Sequence, residues 1–321
     1  MNERCCDLCN QTEFETISNI DRRGDALETA VCTTCGLVSH AQMPTEQELR
    51  DYYANEYRQD YHGEYHPSTQ RVVREWEKGR RILKLLTPYL REGDEVFEIG
   101  AGIGCTVKNF ELAGYESNGC EPGEGFANYS SSELKTTVVP GELKDLPRTS
   151  THDFVLLVHV LEHLSSPTST LRHIWQMLRP GGRLYVEVPN YTAPHAAPGK
   201  AFHFAHTYNF NPATLRMIGQ SCGFEVTQLT HDRQKNLGMV MHRVENEDTT
   251  IDPRGYKTSI HTARKNTWFS YHCRLGYLTD RFHRLYDRTV CRIGSDSKLK
   301  KIMAQIEAHQ GKPAAEVKRA A

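Results

Sequence analysis

Short apolar runs alternating with helix-like segments predict an α/β fold, a doubly wound and mostly parallel Rossmann-like sheet. Two matched cysteine pairs ahead of the runs predict an N-terminal zinc ribbon. A basic stretch with helical spacing behind them predicts a helical C-terminal extension. The runs are EVFEIG, YESNGCE, TTVVPG, DFVLLVHV, RLYVEVPN, FEVTQLT and GMVMHRV, with helix patterns such as TVKNFELAG and STLRHIWQMLRPGG between several of them.

Taken in order, residues 1–45 form the cysteine-pair module. Residues 46–90 begin as a connector holding Tyr52, Tyr53, Tyr57, Tyr61 and Tyr65. They continue as the helical stretch QRVVREWEKGRRILKLL, whose Val72, Val73, Trp76, Ile82, Leu83 and Leu86 suit one face before Pro88 ends it. Residues 91–245 carry the sheet. Residues 246–321 are the extension, with Leu275, Leu278, Phe282, Leu285 and Ile293 at helical spacing and the tail AAEVKRAA predicted to fray. There is no internal repeat and no low-complexity block.

With 321 residues, 38% hydrophobic and 25% charged, the chain can bury a sizeable core, which excludes wholesale disorder. Lys+Arg is 39 and Asp+Glu is 40. That balance argues against a dedicated nucleic-acid binder, whose footprint is a strong basic excess. It hides an asymmetry: residues 251–321 hold 15 Lys+Arg against 6 Asp+Glu, so a basic tail of +9 follows an acidic body of −10. No run approaches the length of a spanning helix. The start MNERCCDLCNQ lacks a signal-type apolar stretch, which predicts a cytoplasmic protein. Arg274, Arg281, Arg284, Arg288 and Arg292 flank the apolar stripe. They fit the solvated face of a packed helix, or a contact with a phosphate-bearing substrate, an acidic carrier or an anionic membrane surface.

Ten cysteines in a reducing compartment argue against a disulfide framework. Cys6-x-x-Cys9 and Cys32-x-x-Cys35 aim four thiolates at one point, which suits tetrahedral Zn²⁺. Gly36 supplies the backbone freedom of the second knuckle. Four thiolates leave no open position, so the metal is expected to be structural. Cys5 competes with Cys6 for the first ligand position, and the two-residue gap favours Cys6. A redox pair is the alternative, but such a pair usually stands alone before a helix.

An apolar strand, Val96 to Ile99, runs into Gly100-Ala101-Gly102-Ile103-Gly104 and then a helix pattern. Glycines let a backbone approach a ligand closely, and the helix start offers unpaired N–H groups. The spacing departs from the dinucleotide fingerprint, and Glu98 two residues before the loop would repel a pyrophosphate. A cationic amino-acid ligand tolerates that carboxylate. Glu121, after the second strand, stands where a carboxylate accepts both ribose hydroxyls. The alternative is a tight turn without a ligand.

EVFEIGAGIG with Glu121 resembles motif I and the following acidic residue of class I S-adenosylmethionine-dependent methyltransferases. GELKDLP before HDFVLLVHVLEHL resembles their adenine-side loop and fourth strand. LRPGGRLYVEVPN resembles the turn and fifth strand, and TLRMIGQSCGFEV the late helix and the entry to the sixth. The likeness covers roughly residues 70–245. The cysteine module and Tyr-rich connector also accompany this domain in bacterial methyltransferases, many in sugar or cell-surface biosynthesis. The resemblance implies that Gly100, Ala101, Gly102 and Gly104 line the methionine and ribose of the cofactor. Glu98 would lie beneath that loop, Glu121 on the ribose, Glu142 and Leu143 against the adenine, and His159 beside the methionine moiety.

Methyl transfer is an in-line attack on a sulfonium methyl, and a hydroxyl acceptor must lose a proton to a nearby base. In HVLEH, the Glu-His after the fourth strand resembles that of the ubiquinone-biosynthesis O-methyltransferases, where it lies at the substrate edge of the cofactor pocket, and this implies His163 as the first candidate base. Lys200 to Phe210 adds His203 and His206, with Pro194 and His195 in the preceding loop. Imidazoles and aromatic rings together suit a sugar ring or an aromatic acceptor. Each histidine can instead make a structural hydrogen bond. HVLEH also fits the H-x-x-E-H pattern of a zinc peptidase, which requires a helix, whereas here it follows strand-like FVLLV. The expected activity is O-methylation of a sugar, glycan or other small polar metabolite. N- or C-methylation of a nucleotide-linked sugar, nucleic-acid modification through the ribbon and basic tail, and a cofactor-binding scaffold without turnover are the alternatives.

Overall fold

The computed structural model describes residues 4–52, 67–193, 197, 199–232, 235–274, 276–279, 281–282 and 294–310. Tyr53, Tyr57, Tyr61, Tyr65, Pro194, His195, Leu275, Arg284, Leu285, Arg288, Arg292, Ile293 and the tail lie outside the described residues.

In chain order the elements are β1 (Phe14–Ile20), β2 (Ala26–Cys32), β3 (Val38–His40), α1 (Glu46–Asp51), α2 (Thr69–Leu86), β4 (Glu95–Ile99), α3 (Cys105–Leu112), β5 (Glu116–Glu121), α4 (Glu124–Ser132) and β6 (Val138–Pro140). Then come β7 (His152–Val158), α5 (Pro167–Met177), β8 (Leu178–Pro189), β9 (Tyr208–Asn209), α6 (Pro212–Gln220), β10 (Phe224–Asp232), β11 (Asn236–Arg243), α7 (Arg254–Lys265), α8 (Trp268–His272) and α9 (Ser295–Gln310).

The main sheet has the order β10-β11-β8-β7-β4-β5-β6. β4 pairs in parallel with β5, and β5 with β6. β11 runs antiparallel to both β8 and β10. All seven apolar runs of the sequence are strands of this sheet. A second sheet has the order β1-β2-β3-β9. The chain divides into two compact units, residues 1–59 with 157–277 and residues 60–156 with 278–321; the division falls within β7.

In the second unit, α2 starts on Ser68, whose hydroxyl accepts the Arg71 N–H. Its apolar face, Val72, Val73 and Trp76, packs with Ile103, Cys105, Leu134, Ile302 and Ile306. Burial of such side chains stabilises by roughly 1.5–3 kcal/mol each. The rest of the 69–86 pattern buries Ile82 and Leu86 as expected.

In the first unit, β9 extends the sheet of the cysteine module, with Val38 opposite Asn209 and Ser39 opposite Tyr208. Asp7, between the first two cysteines, accepts the Ser166 hydroxyl at 2.6 Å and the Thr168 N–H at 2.8 Å, so it shares the capping of α5. Gly36 and Gly255 meet back to back: a Cβ on Gly255 would lie 2.1 Å from the Cys35 carbonyl oxygen. The stripe expected to pack beyond residue 270 does not do so where it is described, since Leu278 and Phe282 are exposed. Among the described residues, no helix is long and apolar enough to cross a membrane.

Candidate functional site

In the second unit, β4 delivers the chain into a turn with Gly100, Gly102 and Gly104 at φ 70°, 54° and 79°. This left-handed region strongly disfavours side chains, which is why glycines stand there. The Gly100 and Ala101 N–H groups both donate to the Cys120 carbonyl at 2.9 Å, fixing the turn to the end of β5. Glu121 completes it: Oε2 accepts the Gly102 N–H at 2.9 Å and Oε1 the Gly123 N–H at 3.0 Å. Burial raises the Glu121 carboxyl pKa even against these two donors. A Cβ on Gly119 would strike the Glu98 carbonyl oxygen at 2.5 Å, so β4 and β5 are held unusually close beneath the loop.

Glu98 is buried, and its Oε2 has no hydrogen-bond partner. Burial pushes its carboxyl up to about 8. Glu142 and Leu143 follow β6; the Glu142 N–H is capped by Asp145, and Leu143 opens a short 3₁₀ turn over Leu143–Asp145. Sequence reasoning named Glu98, Gly100, Ala101, Gly102, Gly104, Glu121, Glu142 and Leu143, but not Gly119, Cys120, Gly123 or Asp145. It did not foresee that Glu121 grips the loop itself.

In the first unit, β7 is followed by His159, a non-glycine residue at φ 57°. The next turn, Leu161–His163, is 3₁₀ and not an α-helix, which removes the peptidase reading of HVLEH. His159 lies between two buried carboxylates: Nδ1 is 3.4 Å from Glu162 Oε1, and Nε2 is 3.4 Å from Glu187 Oε1. Glu187 also accepts the Tyr185 hydroxyl at 2.6 Å and the Asn236 amide at 3.3 Å. Burial alone would raise the Glu162 pKa; contact with His159 and the fields of His163 and His206 outweigh it and hold the group at about 2.

The backbone of Ala205 orients two imidazoles. His163 Nδ1 donates to its carbonyl at 2.7 Å, and its N–H donates to His203 Nδ1 at 3.1 Å. A neutral His203 therefore carries its proton on Nε2, 3.0 Å from the Tyr52 hydroxyl. His206 stands edge-on to both His163 and His203, with ring centroids 4.7 and 5.4 Å away. Burial, followed by neighbouring positive charge, lowers His203 and His206 to about 3. The Thr207 hydroxyl donates toward the Glu162 and Leu164 carbonyls at 3.1 and 3.0 Å, tying this segment to the 3₁₀ turn. His163, His203 and His206, three histidines separated in sequence, thus meet. Tyr52, Tyr185, Glu187 and Asn236 were missed. The one available signal was Glu187, a lone acid inside the buried run RLYVEVPN.

The four cysteines of the two pairs also meet. Cys6 and Cys35 Sγ are 3.5 Å apart, as are Cys9 and Cys32, and all four sulfurs lie within 4.8 Å of one another. Sulfurs around Zn²⁺ at about 2.3 Å stand roughly 3.8 Å apart, so the set fits a tetrahedral ion. Cys6 is buried in the cluster, whereas Cys5 is exposed.

Residues 70–229 match the family described as "Methyltransferase domain". An uncharacterised Mycobacterium tuberculosis protein, Rv1509, is 23% identical over 201 residues, 60% of each chain. The chain thus spans less than two thirds of that relative's length. A ubiquinone biosynthesis O-methyltransferase from Marinobacter nauticus is 25% identical over 107 residues, 30% of this chain and 45% of that protein. Among solved structures, the Burkholderia thailandensis 1,6-didemethyltoxoflavin-N1-methyltransferase superposes with a TM-score of 0.51 at 17% identity, covering 65% of this chain and 96% of its own. That likeness shows the fold. Over residues 70–229 the chain is similar to that methyltransferase domain.

Proposed function

We propose that the chain transfers a methyl group from S-adenosylmethionine to a hydroxyl of a sugar, glycan or other small polar metabolite. The observation that carries the reading is the Glu121-locked glycine loop. Three left-handed glycines shape the turn, a Cβ on Gly102 would meet open space, and a carboxylate stands at the end of the next strand, a place suited to ribose hydroxyls. The unpartnered buried oxygen of Glu98 beneath the loop and the methyltransferase-domain match support it.

S-adenosylmethionine, when bound, supplies an electrophilic methyl on a sulfonium. Gly100, Ala101, Gly102 and Gly104 would hold its methionine and ribose part, and Glu121 the ribose hydroxyls. Glu142 and Leu143 would flank the adenine, and His159 the methionine end. Proton removal from the acceptor falls to the group of His163, His206 and Glu162, with His203 behind it. Imidazoles beside Tyr52 and Phe204 favour a polar ring as acceptor. The relative that acts as an O-methyltransferase supports oxygen as the acceptor atom. Cys6, Cys9, Cys32 and Cys35 would hold a structural Zn²⁺ that fixes β2 and β3, and with them β9.

The test is a methyl-transfer screen with labelled cofactor against sugar nucleotides and glycan fragments, preceded by calorimetry with S-adenosylmethionine and S-adenosylhomocysteine. Transfer to a hydroxyl supports the reading. Absence of affinity for both compounds refutes it.

A further inference from the structure

The histidine cluster holds more charge than one proton transfer uses. Glu162 and Glu187 both have side chains only 2% exposed. His159 is placed between them, and Glu187 is further served by Tyr185 and Asn236. Glu162 has no such help: among the described residues, neither of its oxygens receives a hydrogen bond. His159 approaches Oε1 at 3.4 Å without the alignment of one. A buried carboxylate without donors is among the costliest arrangements in a protein interior unless a cation faces it.

What faces it is a pair of imidazoles. His163 Nε2 is 3.8 Å from Glu162 Oε1. Its Nδ1–H donates to the Ala205 carbonyl, which leaves Nε2 as the nitrogen on the Glu162 side. A ring nitrogen and a carboxylate oxygen this close repel when both are unprotonated, and a proton or a metal ion shared by them turns the contact favourable. A histidine that ligates a metal through one nitrogen commonly donates its other N–H to a backbone carbonyl, as His163 does. The ligand atoms of Glu162, His163 and His206 lie within 4.8 Å of one another. Ligand atoms at about 2.1 Å from one ion stand roughly 3.0–3.4 Å apart, so the widest edge draws in by no more than about 1.8 Å.

We propose that Glu162, His163 and His206 form a divalent transition-metal site, separate from the four cysteines, that takes Zn²⁺ or a neighbouring first-row ion. Two imidazoles and one carboxylate leave coordination positions open, unlike a closed four-thiolate set. The use of those positions rests on the methyltransferase reading. An acceptor hydroxyl bound there becomes more acidic; with the ligating atoms of Glu162, His163 and His206 occupied by the ion, the group acts through the metal and not as the proton acceptor itself, and the proton leaves to water before the oxygen attacks the methyl carbon. His203, committed through both ring nitrogens to Ala205 and Tyr52, orients the cluster and is not a ligand.

The experiment uses the full chain, stripped with chelator and reloaded with Zn²⁺ or Co²⁺, with metal content read by mass spectrometry and S-adenosylmethionine binding by calorimetry on the same samples. The expected result is two ions per chain in the wild type and one in Glu162→Gln and in His206→Gln. Cys32→Ser should also keep one, and its Co²⁺ form should show nitrogen and oxygen coordination without sulfur charge-transfer bands. Intact cofactor affinity in Glu162→Gln would exclude misfolding. Should the variants misfold, Co²⁺ titration of the wild type still decides: a second equivalent without sulfur bands supports the site. A wild type that holds only the cysteine-bound ion overturns it, as do two ions untouched by both substitutions. Methyl transfer at full rate without the second ion also overturns it. A chain with two ions and no affinity for S-adenosylmethionine leaves this site standing and removes the methyltransferase reading instead.

Discussion

Replacing Glu121 with alanine removes the carboxylate that ties Gly102 and Gly123 to the end of β5. In the free protein both backbone N–H groups lose their acceptor. In the proposed complex with S-adenosylmethionine the ribose hydroxyls lose theirs. A hydrogen bond to a charged group contributes about 1.5–3 kcal/mol. Loss of one such contact to the cofactor therefore weakens binding roughly ten- to 150-fold. Release of the left-handed turn adds an ordering cost, since Gly102 then samples many conformations before binding. Glu121→Gln retains one acceptor oxygen and should fall between alanine and wild type. Calorimetric titration with S-adenosylmethionine and S-adenosylhomocysteine reads the effect directly. An alanine variant that binds both as tightly as the wild type would refute the assignment of Glu121 and the loop together.

Glu98 makes stability depend on pH: its folded carboxyl, raised by burial to about 8 from 4.5, keeps a proton that the unfolded chain releases. The contribution is complete below about pH 4.5 and disappears as pH climbs through 8, a change of up to about 5 kcal/mol. Denaturation of Glu98→Gln should be flatter than wild type across that window, and parallel curves would contradict the buried neutral acid. Gly255→Ala should lower stability by about 1–3 kcal/mol or more, because the new methyl overlaps the Cys35 carbonyl; an unchanged melting temperature would show that the contact yields easily. Chelation should speed amide exchange at Val38–His40 and at Tyr208–Asn209 together, since these strands pair; exchange confined to the cysteine knuckles would show that the pairing survives without metal.

The seven strands of the main sheet were legible because each falls on one of the short runs that alternate with helix patterns, most of them apolar. The glycine loop was legible because left-handed backbone selects glycine. The direction of β11 was not, since an apolar run carries no mark of parallel or antiparallel pairing. Nor was β9: two residues show no period, and their partner strand lies far back in the chain. The histidine cluster was half visible. His163, His203 and His206 stood out by type, but the carbonyl and N–H of Ala205 that set their tautomers leave no trace in sequence. Tyr52 was one tyrosine among five, and only the fold places its hydroxyl on His203.

Because β3 borders β9, trimming the chain before residue 46 to obtain a smaller catalytic fragment would do more than delete a metal knuckle. It would strip Tyr208 and Asn209 of their ladder and cost the Phe204 carbonyl its donor, His40. A raw sheet margin beside the imidazoles would be left open to other chains. Aggregation of such a fragment would then say nothing against the proposed activity, and expression work is better begun with residues 4–45 included.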